Sequence, residues 1–196
     1  MIVYGAGGHA KVICDVINAD GGSITAVFDD DVGINQFLDY PVYPYSPNLF
    51  PEEPIVLAIG DNATRGNIAR RICHRFVNVI HPSALITNNI NIGAGNFVMH
   101  RVVIQAGSRI GNHCIINTGA IVEHDAVIGD FVHIAPGAIV CGSVTVGDFT
   151  LVGAGATLVP NIVIGKNCVI GAGSVIIRDI PDNVTVCGNP GRVIKH

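Results

Sequence analysis

The sequence has no paired-cysteine motif, no run of basic residues and no apolar stretch long enough to cross a membrane. Its six cysteines, at positions 14, 73, 114, 141, 168 and 187, include no Cys-x-x-Cys pair, so we expect free thiols in a reducing cytoplasm. The net charge of −4 comes without a basic cluster, which argues against nucleic acid and anionic membranes as partners. Residues 1–4 lead directly into a glycine turn without a basic start, so we expect no signal peptide.

The most regular feature of the sequence is a six-residue repeat. From Ile80 to Ile176 every sixth residue is Ile, Val or Leu, which makes seventeen hexads without an insertion. A period of six fits neither an α-helix nor a half-buried strand. It predicts a solenoid with a triangular cross-section, in which each hexad forms one short side and one corner. Three hexads make one coil, so residues three hexads apart lie above each other at strand spacing, about 4.8 Å.

The first part of the chain follows a different pattern, in which apolar runs alternate with segments of helical periodicity. This alternation predicts a small parallel α/β sheet, with residues 32–54 mostly irregular. The expected strands cover residues 1–4, 23–28, 54–59 and 76–79, and the expected helices cover residues 10–19 and 64–74. We therefore divide the chain into an α/β domain (1–79), a β-helix (80–181) and a C-terminal tail (182–196).

A glycine-rich loop follows the first predicted strand, with the sequence Gly-Ala-Gly-Gly-His-Ala at residues 5–10. Together with Asp29 and Asp30 at the end of the second strand, it matches part of a dinucleotide-binding fingerprint. Glycines let backbone amides approach a phosphate, and a helix N-terminus favours its charge. The domain has room for only one mononucleotide half, so this pattern indicates a nucleotide or nucleotide-sugar site, or a tight turn without ligand. His9 is either a donor to phosphate or sugar or a loop histidine facing solvent.

One histidine of the repeat region has the neighbours that acyl transfer requires. His124 precedes Asp125 in the most polar hexad, and Gly142 follows three hexads later, one coil above. A histidine can act as the base that activates a nucleophile, and a free backbone N–H can stabilise an oxyanion. Asp125 would orient the imidazole if the chain turns a corner there. The alternative is a histidine that merely decorates the surface.

Zinc held by histidines between neighbouring solenoids is a further alternative, as in the carbonic anhydrases built on this repeat. The ligand spacing of those enzymes and their Arg/Asp/Gln set are absent here, so we expect no metal.

The order of motifs along the chain resembles a known family. The glycine loop is followed by Phe28-Asp29-Asp30, then residues 58–62 (Ala-Ile-Gly-Asp-Asn), His81-Pro82-Ser83-Ala84, residues 122–125 (Val-Glu-His-Asp) and Gly188-Asn189-Pro190. This series resembles the bacterial sugar O-acyl- and N-acetyltransferases of the sialic-acid O-acetyltransferase type. Within them it is most similar to the enzymes that acetylate the 4-amino group of nucleotide-linked sugars in bacillosamine and perosamine pathways.

The resemblance implies a left-handed parallel β-helix of hexapeptide repeats, a homotrimer with active sites between subunits, and acetyl-CoA as acetyl donor. It implies roles for residues that match the family's motifs. His124 matches the general base, Asp125 the neighbour that increases its basicity, and Gly142 the oxyanion amide. The other matching positions are contacts to acetyl-CoA (His133, Ala154, Ala172) and to the nucleotide sugar (Gly7, Gly8, His9, Asp29, Asp30, Gly60).

The function expected from these observations is acetyl-CoA-dependent N-acetylation of a UDP- or GDP-linked dideoxy amino sugar, with the 4-amino group as acceptor. Asp125 departs from the Glu that bacillosamine-type enzymes usually carry, which leaves the sugar open. Two alternatives remain at this point: a sugar O-acetyltransferase of the same fold, and a non-catalytic scaffold that binds a nucleotide sugar.

Overall fold

The computed structural model describes residues 1–195. The N-terminal α/β part begins with β1 (Ile2–Tyr4), α1 (Gly8–Ala19) and β2 (Ala26–Phe28). It continues with β3 (Gln36–Phe37), β4 (Tyr40–Tyr43), β5 (Ile55–Leu57) and α2 (Asn62–Ala69). These five strands form one sheet in the order β3-β4-β2-β1-β5. The parallel core β2-β1-β5 is built from strands whose residues are all buried, as expected for a sheet covered on both faces.

The α/β part differs from the sequence prediction in three places. The strand expected at residues 76–79 is not part of this sheet: the strand found there, Val79–Ile80, pairs with Phe97–Val98 of the β-helix, because Ile80 already begins the six-residue repeat, and Phe76 makes only an isolated bridge to Ile55. Residues 32–54, expected to be mostly irregular, contain the antiparallel pair β3–β4, and β4 extends the sheet by pairing in parallel with β2. Helix α2 begins at Asn62, where the Asp61 side chain accepts a hydrogen bond from the Thr64 N–H at 2.8 Å. It ends at Ala69, although helical periodicity suggested an end near residue 74.

The second part is a parallel β-helix of two-residue strands, one at each side of a triangular coil. One sheet contains β6, β9, β12, β15, β18, β21, β23 and β24; a second contains β7, β10, β13, β16, β19 and β22; the third contains β8, β11, β14, β17 and β20. Partners in adjacent coils are three hexads apart, as in Ile116 with Ile134. The strands are β6 (Val79–Ile80), β7 (Leu85–Ile86), β8 (Asn91–Ile92), β9 (Phe97–Val98), β10 (Val103–Ile104), β11 (Arg109–Ile110), β12 (Ile115–Ile116), β13 (Ile121–Val122), β14 (Val127–Ile128), β15 (His133–Ile134), β16 (Ile139–Val140), β17 (Thr145–Val146), β18 (Leu151–Val152), β19 (Thr157–Leu158), β20 (Val163–Ile164), β21 (Val169–Ile170), β22 (Val175–Ile176), β23 (Thr185–Gly188) and β24 (Gly191–Lys195).

The repeated aliphatic residues fill the axis of the β-helix. From Val98 to Ile176 each of them is at most 3% exposed. Ile80, Ile86 and Ile92, which lie in the first coil, are only partly buried. A buried aliphatic side chain contributes on the order of 1.5–3 kcal/mol, so this stack supplies much of the stability of the molecule.

The tail continues the β-helix. Strand β23 pairs in parallel with β21, and β24 then returns antiparallel to β23. Within residues 1–195, no helix has the length and apolar character needed to span a membrane.

Helix α2 packs against a row of aromatic residues on one corner of the β-helix. We call His113, Phe131 and Phe149 the aromatic ladder; their rings stack at centroid distances of 4.9 and 4.8 Å. A side chain at Gly66 would meet Phe149, since a Cβ there would lie 2.6 Å from the ring. Glycine at this position therefore lets the helix backbone approach the ladder closely, and no linker separates the two parts.

Candidate functional site

His124 and Asp125 form a pair on a second corner of the β-helix. Asp125 adopts a φ of 59°, so the chain turns there and both side chains project to the same side. His124 Nδ1 lies 2.9 Å from Asp125 Oδ2, and both side chains are exposed. Because a neutral imidazole that donates through Nδ1 has an acceptor at Nε2, this contact leaves His124 Nε2 free to accept a proton.

Gly142 lies directly above His124. A Cβ at Gly142 would lie 2.6 Å from His124 Nε2, so only glycine leaves room for the imidazole at this distance. Among the described residues, the Gly142 N–H donates no backbone hydrogen bond, although its carbonyl accepts one from the Asn161 N–H. The three residues together place a base, its orienting carboxylate and an unused N–H donor at one corner, where the His124 and Asp125 side chains are exposed and Gly142 is buried against the imidazole.

His133 lies in β15 of the eight-stranded sheet, whereas His124 follows β13 of the six-stranded sheet. His133 lines a cavity of about 230 Å³. One wall is the start of α2, and the other is the outer face of the eight-stranded sheet, where His133, Leu151 and Val169 lie in successive coils. The complete lining is Gly60, Asp61, Asn62, Ala63, His133, Phe149, Leu151, Asn167, Cys168 and Val169. The structure thus brings Gly60 and His133 together, and His124 is not part of this lining.

Burial keeps two histidines beside this cavity neutral at pH 7. Desolvation, followed by the nearby positive charge of Arg65, lowers the pKa of His133 to about 4. The same two causes, in the same order, lower the pKa of His9 to about 4. His133 Nε2 lies 3.1 Å from the Asn117 amide nitrogen, which can donate to it. With Nε2 accepting from Asn117, a neutral His133 carries its proton on Nδ1 and can donate that hydrogen bond without carrying charge.

His9 is neither exposed nor fully hydrogen-bonded. Its ring packs edge-on against Phe97 of the β-helix at 5.9 Å, and its buried Nε2 has no hydrogen-bond partner. A buried polar atom without a partner costs free energy.

The glycine loop itself is open to solvent. A side chain at Gly7 or Gly8 would meet nothing within 4 Å. Gly7 caps α1 without a side-chain hydrogen bond, so the first N–H groups of the helix remain available to an anion.

Asp29 and Asp30 are already bonded within the protein. Asp29 accepts the Ala6 N–H at 2.7 Å and the Asp31 N–H at 2.9 Å, which fixes the glycine loop. Asp30 accepts the Tyr4 hydroxyl and pairs with Arg71. Burial alone would raise the pKa of the Asp30 carboxyl, but the hydrogen bonds from Tyr4 and Arg71 outweigh it, so the pKa is lowered.

Ala154 and Ala172 are exposed and lie one coil apart on the third corner. They are followed by Gly155 and Gly173, where an added side chain would meet nothing within 4 Å. The corner is therefore a smooth strip without bulky side chains, which suits an extended, unbranched ligand.

Sequence reasoning missed several residues of the cavity and the contact between α2 and the β-helix. Leu151 and Val169 could have been found from the three-hexad spacing, because both lie in register with His133. Asn62, Phe149 and Arg65 had no such signal, since they meet only when α2 packs on the aromatic ladder. Among residues 1–195, no group of three or more His, Cys, Asp or Glu side chains converges to hold a metal ion.

The fold and these features define a hexapeptide-repeat transferase with an appended α/β domain. The chain matches the PglD N-terminal domain family over residues 1–72 and the bacterial transferase hexapeptide family over residues 125–160 and 143–178. A perosamine N-acetyltransferase from Caulobacter crescentus, solved with CoA and GDP-perosamine, is 35% identical with a TM-score of 0.95; the alignment covers 100% of this chain and 96% of that one. The chain belongs to the family of hexapeptide-repeat sugar N-acetyltransferases of the bacillosamine and perosamine type.

Two further relatives support this membership, and a third similar protein is uncharacterized. The acetyltransferase domain of PglB from Neisseria gonorrhoeae, solved with acetyl coenzyme A, is 35% identical with a TM-score of 0.91, and 98% of each chain is covered. The UDP-N-acetylbacillosamine N-acetyltransferase of Bacillus subtilis is 41% identical over 107 residues, which is 50% of this chain and 50% of the relative. An uncharacterized protein of Acanthamoeba polyphaga mimivirus is 34% identical over 114 residues, 23% of its length. The matched region thus spans half or less of the two curated relatives.

The sequence prediction of family and fold is confirmed: a small half-Rossmann-like α/β domain precedes a left-handed parallel β-helix of hexapeptide repeats.

Proposed function

We propose that the chain is an acetyl-CoA-dependent N-acetyltransferase that acts on the 4-amino group of a UDP- or GDP-linked dideoxy amino sugar. The observation that carries the proposal is the corner formed by His124, Asp125 and Gly142, with a base nitrogen and an unused N–H side by side. The relatives solved with CoA and GDP-perosamine, and with acetyl coenzyme A, support this substrate pair.

The chemistry assigns a separate task to each residue of the corner. His124 Nε2 accepts a proton from the sugar amine as the amine attacks the acetyl carbonyl, while Asp125 holds the imidazole through Nδ1. The Gly142 N–H donates to the carbonyl oxygen as negative charge develops there. Acetyl-CoA supplies the activated acetyl group as a thioester. The C–S bond breaks as the tetrahedral intermediate collapses, and CoA leaves as a thiolate that takes up the proton held by His124, so the products are the amide and free CoA thiol.

The two substrates approach this corner from different surfaces. The nucleotide phosphates fit the open N-terminus of α1 at Gly7 and Gly8, with Asp29 and Asp30 holding the loop in shape. The sugar fits the Gly60 side of the cavity, with His9 as a further contact. His133 on the opposite wall contacts acetyl-CoA, the role that the family resemblance implies. The smooth strip at Ala154 and Ala172 fits the extended pantetheine chain of acetyl-CoA.

We further propose that the protein is a homotrimer with active sites between its subunits. His124 follows a strand of the six-stranded sheet, whereas His133 lies in the eight-stranded sheet, so one chain does not present both to one space. The six-stranded sheet also carries a row of outward aliphatic residues, of which Leu85 is 68% exposed. Packing such faces against copies of the chain covers the row and brings His124 of one subunit towards the cavity of another.

The trimer is tested by light scattering, which should give a molar mass of three times 20.5 kDa.

The cytoplasm is the compartment we propose, because the six cysteines of the described chain are all free thiols, as is usual in a reducing compartment.

The function is tested by offering acetyl-CoA with a UDP-linked 4-amino dideoxy sugar, with its GDP-linked counterpart and, separately, with free sialic acid. Thiol release with one of the nucleotide amino sugars is expected, and the preferred nucleotide identifies the pathway type. Release with sialic acid and with neither amino sugar would favour the O-acetyltransferase alternative. Binding of the nucleotide sugar without release from any of the three would favour the non-catalytic scaffold.

A further inference from the structure

Arg65 is a fully buried cation whose partners are all neutral. Its side chain is 0% exposed. The guanidinium donates hydrogen bonds to five oxygens: Ile59 O at 2.9 Å, Gly60 O at 3.2 Å, Asn62 Oδ1 at 2.8 Å, His113 O at 2.8 Å and Phe131 O at 3.0 Å. A buried charge without a carboxylate is costly unless all its donors are satisfied, and here they are.

The acceptors fall into two groups that belong to different parts of the molecule. Ile59 and Gly60 follow β5 and lead into α2, and Gly60 is part of one wall of the cavity. His113 and Phe131 are successive members of the aromatic ladder. Asn62 extends the connection to the next coil, because its Nδ2 donates to Phe149 O at 3.0 Å. Three consecutive coils of the β-helix are thus bonded to one turn of α2.

The backbone of the ladder presents its carbonyls to α2. His113, Phe131 and Phe149 have φ values of 55°, 59° and 60°, a region that residues other than glycine rarely adopt. This conformation is the corner turn of the coil, and at these three corners the carbonyls face α2.

We propose that Arg65 is a positioning residue for acetyl transfer. It fixes residues 60–63, and with them the sugar of the nucleotide sugar, in register with the face of the β-helix that carries His133. This inference rests on the function proposed above.

Lysine cannot replace Arg65 in this role. An ammonium group has three donors from one point, whereas the guanidinium directs five N–H groups in a planar fork to acceptors on both sides. Acceptors on α2 and acceptors on the ladder need donors pointing in opposite directions at the same time.

The first test compares Arg65→Gln and Gly66→Ala with Arg70→Gln. Gly66→Ala keeps Arg65 and inserts a methyl group against Phe149, so it displaces α2 without a change of charge. Arg70 is exposed at the C-terminal end of the same helix, and its side chain bonds only to Asn67, which makes it the matched control.

We expect kcat with the nucleotide amino sugar to fall on the order of 10–100-fold in both test variants, because a small misplacement of a bound substrate is costly. The dissociation constants for acetyl-CoA and for the free nucleotide should stay within about twofold of wild type, because neither binding surface changes. The measurements are made well below the melting temperature of each variant. A lowered melting temperature with wild-type kcat in both folded variants would show a purely structural role and overturn the inference.

A second measurement separates this inference from the proposed function. If wild type releases no thiol with either amino sugar, the function fails, and amide hydrogen exchange across residues 60–69 then tests the anchoring directly. Exchange should be faster in Gly66→Ala than in wild type or Arg70→Gln, and unchanged exchange would overturn the inference. If Arg65→Gln does not fold, both kcat and amide hydrogen exchange are measured on Gly66→Ala alone, since this variant retains every hydrogen bond donor of Arg65.

Discussion

The contact between His124 Nδ1 and Asp125 Oδ2 gives a direct prediction at the level of single residues. His124→Ala should lower turnover on the order of 10²–10⁴-fold, because the amine then has no base. Acetyl-CoA binding, measured by calorimetry, should be unchanged, since the side chain is 62% exposed and supports no packing. Asp125→Asn serves as the graded control and should lose less, because the amide can still hold the ring. Near-wild-type turnover in His124→Ala would mean that the base lies elsewhere.

Three buried histidines make folding stability depend on pH. Burial, followed by the charge of Arg65, lowers the pKa of His9, His113 and His133 to about 4. The unfolded chain protonates them near pH 6.5. Their contribution to the free energy of unfolding is therefore fully present above pH 6.5 and is lost as the pH falls through 4. It is on the order of 1 kcal/mol per pKa unit for the buried His113, and less for His9 and His133, which are partly buried.

The urea midpoint should accordingly fall between pH 7 and pH 4.5. His9→Gln, which cannot titrate, should show a shallower fall than wild type. Equal slopes for the two proteins would exclude His9 as a contributor, and a flat wild-type profile would exclude all three.

At the residue scale, the sequence allowed the corner at His124 to be predicted because its geometry repeats with every coil of three hexads. Asp125 can reach His124 only where the chain turns a corner, and the repeat places a corner at this position. The environment of His9 could not be predicted, because it depends on how α1 packs on Phe97, far away in the chain. Arg65 was not predicted for a similar reason: its partners are backbone carbonyls 48 and 66 residues away, which leave no trace in side-chain patterns.

Among the elements, the contact of α2 with the aromatic ladder offers the clearest test. Phe131 is the middle ring, stacked on both sides at 4.9 and 4.8 Å. Phe131→Ala should reduce the free energy of unfolding by about 3 kcal/mol, the lower end of the range for aromatic truncation, because the ring is only partly buried. Denaturant unfolding measures the loss.

The matched control for that variant is Phe131→Asn. Asparagine tolerates a positive φ better than phenylalanine does, so backbone strain alone would make this variant more stable than wild type. We expect it to be less stable, because stacking with His113 and Phe149 is lost. A stabilised Phe131→Asn would mean that the ladder adds no packing energy.

Elements with regular periodicity were predicted from the sequence, and elements set by unusual turns were not. The strands β1, β2 and β5 are continuous apolar runs, and each hexad contains one strand of the β-helix. The pair β3–β4 escaped prediction because its turn contains Leu38 at a φ of 52°, where glycine or asparagine is the usual signal. Pro41 in β4 argued further against a strand.

For the whole molecule, the proposed site between subunits predicts complementation. His124→Ala removes the base, and His133→Trp fills the cavity on the other sheet. Neither homotrimer should turn over, but mixed trimers formed by unfolding and refolding the two together should regain activity, because some interfaces combine an intact His124 with an intact cavity. Activity is followed by thiol release. If the refolded mixture is no more active than the two separate variant proteins added together, each chain contains a complete site.

The pairing of strands three hexads apart also limits which insertions and deletions the chain can accept. Because every hexad places an aliphatic residue on the axis, removing one hexad leaves the core filled but turns everything after it by one corner. A deletion of one hexad before Ala154 would move Ala154 and Ala172 onto the edge that now carries Asp148 and Phe149. Removing three hexads would shorten the prism by one coil and keep each edge aligned. Length changes in this part of the chain are therefore neutral for folding in steps of one hexad, but neutral for the alignment of its edges only in steps of a whole coil.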